Sequence, residues 1–437
     1  PAQALTVGNA AALGSGALTV ANAAILDSNT SVILNNNVAL NGNLSIGGSN
    51  GMILGGVLSG ASQLIKNGTA NLTLNGANTF TGGTALNAGS LTVGNGAALG
   101  TGTLTVGGAG ATLNSSANVT LNNAIALNSN LTAGGANPLT LGGVISGGSN
   151  LIKTGSSTLT LTGNNTYAGA TSLNAGTLVV GSNTALGTGV LNAGNNTTLD
   201  ASTATSLANN VNLGGNVTIG GSNALTLAGV VSGVGGLTKG GPADLILNGA
   251  NTYFGNTALN VGKLIVGSNT AIGSGALNAA AGTTLDTNTA VTLGNQVNLA
   301  GALNVGGSAD LTLTGTVAGA GSLVKNGAAN LNLNGTNTYV GGTTLNAGTV
   351  TVGNSSALGT GALTVGGAAT LDSSSPLASL ANAVVLNAAL SAGGTQDLTL
   401  GGVVSGAGQL IKNGAANLTV NGTNTFSGGS TLNAGTL

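Results

Sequence analysis

Apolar and polar residues alternate along the whole chain in very short bursts: LTL at 72–74, LTV at 91–93 and 104–106, VTL at 119–121, LTL at 139–141, VIS at 144–146 and LTL at 159–161. An apolar–Thr–apolar triplet has the two-residue period of a half-buried strand. Its first and third side chains turn to a core, and the β-branched Thr suits the outer face of the pleat. Between the triplets lie GG, NG, GN, SN and GS pairs, whose tolerance of positive φ favours tight turns. Helices are disfavoured, because an interior Gly costs roughly 1 kcal/mol and no heptad-like spacing is present. The pattern predicts an all-β chain of very short strands and frequent turns.

These strands fall into a longer period. The phrase NTYVGGTTLNAGTVTVGN (337–354) returns as NTFTGGTALNAGSLTVGN (78–95), NTYAGATSLNAGTLVVGS (165–182) and NTYFGNTALNVGKLIVGS (251–268), and NTFSGGSTLNAGTL closes the sequence. Its rings fall at Phe80, Tyr167, Tyr253, Tyr339 and Phe426, in steps of 87, 86, 86 and 87. Lys66, Lys153, Lys239, Lys325 and Lys412 follow the same steps, and Asp27, Asn114, Asp200, Asp286 and Asp372 follow 87, 86, 86 and 86. The expectation is a single continuous domain over 1–437, with about five tandem 86–87-residue units and no linker.

Leu72 to Leu91 is 19 residues and Leu91 to Thr112 is 21, so a unit divides into about four pieces. Each has a suitable length for one coil of a parallel β-helix. A coil cannot bury its own apolar face, so inward Leu, Val, Ile and Ala, Leu173 among them, must stack on neighbours above and below. Asn at matched turn positions can stack as amide ladders. An array of β-sandwiches, one per 86 residues, is the competing architecture, and strands this short suit it less.

Composition narrows the class. Charged residues are 3% of the chain, against about a quarter in an average soluble domain. Disorder pairs low hydrophobicity with high net charge; here 41% of residues are hydrophobic, mean hydropathy is +0.41 and net charge is −1. The 81 Gly show no period of three and Pro numbers four, which excludes collagen. No apolar run approaches the ~18 residues of a membrane-spanning helix, so no membrane insertion is expected. The opening PAQALTVGN has neither Met nor a basic leader and reads as a mature product or a segment. Cysteine is absent, which removes disulfides and thiolate metal sites. The six basic residues, all Lys, are too few for a nucleic-acid groove.

At NTYVGGTTLNAGTV (337–350) and its four partners the chain resembles the autotransporter-associated β-strand repeat of secreted Gram-negative passenger domains, which reads roughly N-T-Y-T-G-G-T-T-V-N-A-G-T-L. The phrase covers about fourteen residues per unit, and the Gly/Asn/Thr/Leu style around it is shared along the whole chain. The resemblance implies a right-handed parallel β-helix displayed outside the cell as a stalk or adhesive rod, and it brings no catalytic residues.

The chemistry-bearing residues are few. His, Cys and Glu are absent, so nucleophilic triads fail. Glycoside hydrolysis needs two acids roughly 5–10 Å apart. Asp27, Asp200, Asp286 and Asp372 share one repeat position, expected about four coils or roughly 19 Å apart. The phrases GGSAD (306–310) and GGTQD (393–397) lack the spacing of calcium-binding nonapeptides. No enzyme activity, metal or cofactor is expected. The lysines of LIKNG, LIKTG, LTKGG, LVKNG and LIKNG are expected to be solvated charges before a turn, which discourage lateral pairing; a cationic column meeting anionic glycan or lipid is the alternative. The rings are expected to plug a turn or cover the core, with sugar stacking as the alternative. Thr6, Thr92, Val179, Ile265 and Thr351, taken as one strand position down the repeats, exclude a regular ice-binding Thr lattice.

The function these readings predict is an extracellular structural or adhesive rod of a bacterial surface. A filament subunit stacking head to tail is the alternative, and a glycan-binding surface module the third. NAGTL (433–437) aligns with NAGSL (87–91), and ALTVGN (4–9) with SLTVGN (90–95). The expected partners are therefore copies of itself or further repeats end to end, and surface glycans.

Overall fold

The computed structural model describes residues 3–48, 50–376, 379–394 and 396–437. Among them are 54 β-strands, all three to five residues long, and no helix. The strands pair in parallel; Leu44–Ile46 stacks on Leu64–Lys66, for example, in the register Leu44↔Leu64. The protein is an all-β parallel β-solenoid. Its internal contacts divide it between Val217 and Thr218 into two compact units.

In the first unit three columns of strands build the walls. One runs through eight strands from Gln3–Val7 to Ile145–Gly147, and a second climbs from Val32–Leu34 to Val211–Leu213. The third begins with Leu18–Val20, Val38–Leu40 and Leu58–Gly60, and resumes at Val119–Leu121. The gap is filled by the NTF phrase (78–80) and the ALG phrase (98–100), which take two strand places without strand geometry. Their backbone still pairs across coils, Thr79 N to Leu58 O at 2.8 Å and Thr101 N to Phe80 O at 3.0 Å. Coil length varies little: Leu64↔Thr84 spans 20 residues, Leu72↔Leu91 spans 19 and Leu91↔Leu113 spans 22.

The alternation places Leu, Val and Ile inside as expected. Leu72, Leu91, Leu104 and Leu173 are fully buried. The triplet VIS sits one residue out of the expected register: the strand is Ile145–Gly147, with Ile145 buried and Val144 45% exposed. The cause is Gly147, whose φ of 111° and close approach to the Leu127 carbonyl (2.3 Å from an added Cβ) leave no room for a side chain. That glycine ends the strand and turns the corner.

From Leu64–Lys66 to Leu151–Lys153 the chain advances by eleven strands, counting the one it arrives at, and the two non-strand phrases, thirteen wall positions in all. With three walls to a coil, a repeat holds four coils and one wall more. Equivalent residues therefore do not stack. Lys66 lies in the first column of unit one and Lys153 in the second; in unit two Lys239, Lys325 and Lys412 lie in three different sheets. Thr6 and Thr92 likewise stand on different walls, so that set forms no column. A real outward stack is Thr120, Thr140, Thr160 and Val179.

Candidate functional site

The repeat-defining residues converge on polar groups inside the wall. In the second repeat the phrase NTY occupies 165–167. Asn165 Oδ1 accepts from Ile145 N, one coil earlier, at 2.8 Å, and its Nδ2 donates to Ala185 O, one coil later, at 2.6 Å. The same amide clip joins Leu58 and Ala98 through Asn78, Val231 and Ala271 through Asn251, and Val317 and Ala357 through Asn337. All four amides are buried. Each stands where strand pairing lapses and supplies the donor and acceptor that the backbone there lacks.

Two residues further on, Phe80, Tyr167, Tyr253 and Tyr339 are fully buried, while Phe426 is half-buried. The expectation that the ring covers the core holds for the four. Each tyrosine hydroxyl meets the threonine four residues on: Tyr167 with Thr171 and Tyr253 with Thr257 at 2.5 Å, Tyr339 with Thr343 at 2.6 Å. Burial raises the phenols, Tyr167 and Tyr339 to about 12 and Tyr253 higher still, while the threonine bond acts weakly in the opposite direction. In the first repeat Phe80 offers no hydroxyl, and the buried Thr84 Oγ1 has no partner.

The lysines overturn both expectations. Lys66, Lys153, Lys239, Lys325 and Lys412 are at most 1% exposed; they are neither solvated nor a cationic surface column. In Leu-x-Lys the lysine has the parity of the inward leucine, so it enters the core. Its amine then reaches the turn that follows. Lys153 Nζ donates to Thr154 O at 2.6 Å, Gly155 O at 2.7 Å and Ala175 O at 3.1 Å; Lys412 Nζ donates to Asn413 O, Gly414 O and Ala434 O. An ammonium has three donors and no acceptor, and three carbonyls match it. Lys66, Lys239 and Lys325 reach Gly68, Gly241 and Gly327 and the next coil's Ala88, Val261 and Ala347. Desolvation lowers the pKa of Lys66, Lys153 and Lys325, and Asp310 and Asp286 partly oppose it at Lys325.

Sequence reasoning missed the amides. Besides the NT[FY] clip, buried Asn123 donates to Gly100 O and Gly102 O, and Asn209 to Gly187 O and Gly189 O, each one coil back onto the G-x-G after the ALG phrase. The signal was present, since an Asn stands two residues before every ring. The expected surface amide ladders do form: Asn346 Nδ2 donates to Asn326 Oδ1 at 2.8 Å, and Asn326 Nδ2 to Asn304 Oδ1 at 3.1 Å. Asp286 Oδ1 accepts from Thr287 N and Ser308 N, and its Oδ2 from Ser308 Oγ, an acid used as a turn cap. Among the described residues no cluster of three metal-ligating side chains is present.

Fold and clips together define a repeat solenoid whose buried polar groups tie coil to coil. The model of the passenger-associated-transport-repeat family matches residues 64–93, 151–180, 237–266, 323–352 and 410–437, bearing out the resemblance to autotransporter passenger repeats. Each match runs from the buried lysine's strand through the ring. The chain is also 32% identical over 126 residues to the adhesin BmaC autotransporter of Brucella suis biovar 1 (strain 1330), a stretch covering 28% of this chain and 4% of that protein. No solved structure matches.

Proposed function

We propose that this chain is a non-catalytic stretch of an autotransporter passenger, displayed on the surface of a Gram-negative cell as a structural and adhesive rod. The observation that carries the reading is the amide clip repeated inside each matched segment. Asn78, Asn165, Asn251 and Asn337 commit a polar group present in every repeat to holding three coils together. A catalytic solenoid would instead gather acids on one wall, and the chain's seven acids are scattered and partly used as caps. Similarity to an adhesin autotransporter supports the surface location. Antibodies against this chain are expected to label intact, unpermeabilised cells, and deletion of the stretch to reduce adhesion. Labelling only after permeabilisation overturns the reading.

A further inference from the structure

One wall of the second unit differs from the rest. Its strands Leu237–Lys239, Thr257–Leu259, Leu277–Ala279 and Val297–Leu299 stack in register and turn Thr238, Ala258, Asn278 and Asn298 outward. None of these is charged, and Lys239 points into the core. A shallow groove of about 320 Å³ crosses the wall, lined by Asn260, Asn278, Asn298 and small neighbours such as Ala280 and Ala300. Gln296 Nε2 donates to Asn298 Oδ1, and Asn298 Nδ2 to Asn278 Oδ1, both at 2.7 Å. That chain of amides ends on Asn278, whose own nitrogen is committed to no protein acceptor; the same is true of Asn260. At the corner leading into the wall, Phe254 is 70% exposed and lies one coil above Val234, 72% exposed.

None of these groups is required by the fold. Asn278 and Asn298 are replaced by Thr105 and Ala126 in the first repeat and by Thr364 and Val385 in the fourth; Phe254 is replaced by Thr81, Ala168 and Val340. The second repeat keeps the amide pair, Asn192 with Asn212 at 3.3 Å, but has Ala168 in place of the ring. The third repeat joins an exposed ring to an amide groove. Phe254 and Asn278 are four residues and one coil apart, at most about 14 Å at the usual strand spacings. That reach suits a few sugar rings and falls well short of a protein partner's footprint, which at ~800 Å² is roughly 30 Å across.

We infer that this wall binds a neutral oligosaccharide. The ring face packs against the apolar C–H face of one sugar, and the free Asn260 and Asn278 nitrogens donate to hydroxyls further along. An uncharged surface gives an anionic glycan nothing to pair with. The inference gives the adhesive half of the proposed function a ligand class.

The test is calorimetric titration of the full chain with four neutral hexasaccharides (cellohexaose, maltohexaose, mannohexaose and chitohexaose), with hexagalacturonate as the anionic comparison. Binding of at least one neutral sugar is expected, with hexagalacturonate at least tenfold weaker. Phe254→Thr, and Asn278→Thr with Asn298→Ala, borrow residues that other repeats carry and leave the circular dichroism unchanged. Each is expected to weaken binding at least tenfold. Failure of all four neutral sugars to bind, affinity unmoved by both variants, or hexagalacturonate binding as tightly overturns the inference. The surface labelling of intact cells is unaffected by any of these outcomes.

Discussion

At Tyr167 the ring hydroxyl and Thr171 Oγ1 lie 2.5 Å apart in a site closed to water. At the equivalent Phe80 the matching threonine, Thr84, holds a buried hydroxyl with no partner. Both copies keep the same ring burial and the same amide clip, through Asn165 and Asn78. The repeat is thus its own mutational series. The clip and the ring fix the local fold, and the hydroxyl pair adds stability on top of it. An orphaned buried hydroxyl costs about 1–3 kcal/mol, which one repeat tolerates while three avoid it.

Alkaline pH separates the two kinds of repeat most strongly. Tyr167 and Tyr339 are pushed up to about 12 by burial, while an unfolded tyrosine ionises near 10. Below pH 10 both states keep the phenol proton and its contribution is fully present. Above it the unfolded state gives up the proton first, so stability falls at about 1.4 kcal/mol per pH unit per tyrosine until the folded pKa is reached. Lys66, Lys153 and Lys325 act with the opposite sign. Their lowered folded pKa values mean that the unfolded state binds more protons, so stability rises with pH until the unfolded lysine titrates near 10.4. Chemical denaturation from pH 8 to 12 is expected to show a rise and then a steep fall. Joint replacement of Tyr167, Tyr253 and Tyr339 by Phe should remove the fall; an unchanged fall would place its origin elsewhere.

The lysine cage ranks next. Lys153→Met keeps the straight chain and strips three carbonyls of their donor, at a cost of about 3 kcal/mol by denaturant midpoint. The half-buried Lys263, 3.5 Å from Asp244, is the control, and Lys263→Gln should stay within about 0.5 kcal/mol. Equal effects would mean that the Lys153 amine finds water instead of carbonyls.

Much of this was legible in the sequence. Triplet alternation gave the strands, and the 86–87-residue period gave a stack of about four coils per repeat. The lysines mislead because charge is weighed above parity, although LIK carries the spacing of LTL and NG or TG follows it with carbonyls. The wall assignment was not legible. Whether an 86-residue unit closes on the same wall depends on one strand in thirteen, and NTF and ALG occupy wall places without looking like strands. The amides were visible in every phrase, but the acceptor and donor they meet lie 20 residues away on each side. That distance becomes a contact only when the coil length is fixed.

Tyr167→Phe should turn the second repeat into a copy of the first. Thr171 Oγ1 loses its partner, the ring stays in place, and stability falls by about 1–2 kcal/mol. A fall much larger than that would mean the hydroxyl also positions the ring, contrary to the burial of Phe80 without one.

The smallest effect is the reverse change. Phe80→Tyr restores a partner to Thr84 and is expected to raise stability by about 1 kcal/mol, read as a shift in denaturant midpoint at constant slope. A new hydroxyl could also gain by filling space, so the gain alone does not identify its cause. Thr84→Val separates the two. In the native Phe80 background it removes the orphaned hydroxyl at nearly constant shape, and it should stabilise by a similar amount. In the Phe80→Tyr background it strands the new phenol instead, and the same substitution should destabilise. The sign of Thr84→Val therefore depends on what stands at residue 80. The coupling energy of that cycle should exceed about 1 kcal/mol, well above the ~0.5 kcal/mol seen for independent sites. If Thr84→Val has the same sign in both backgrounds, the hydroxyl pair is not what distinguishes the first repeat from the second.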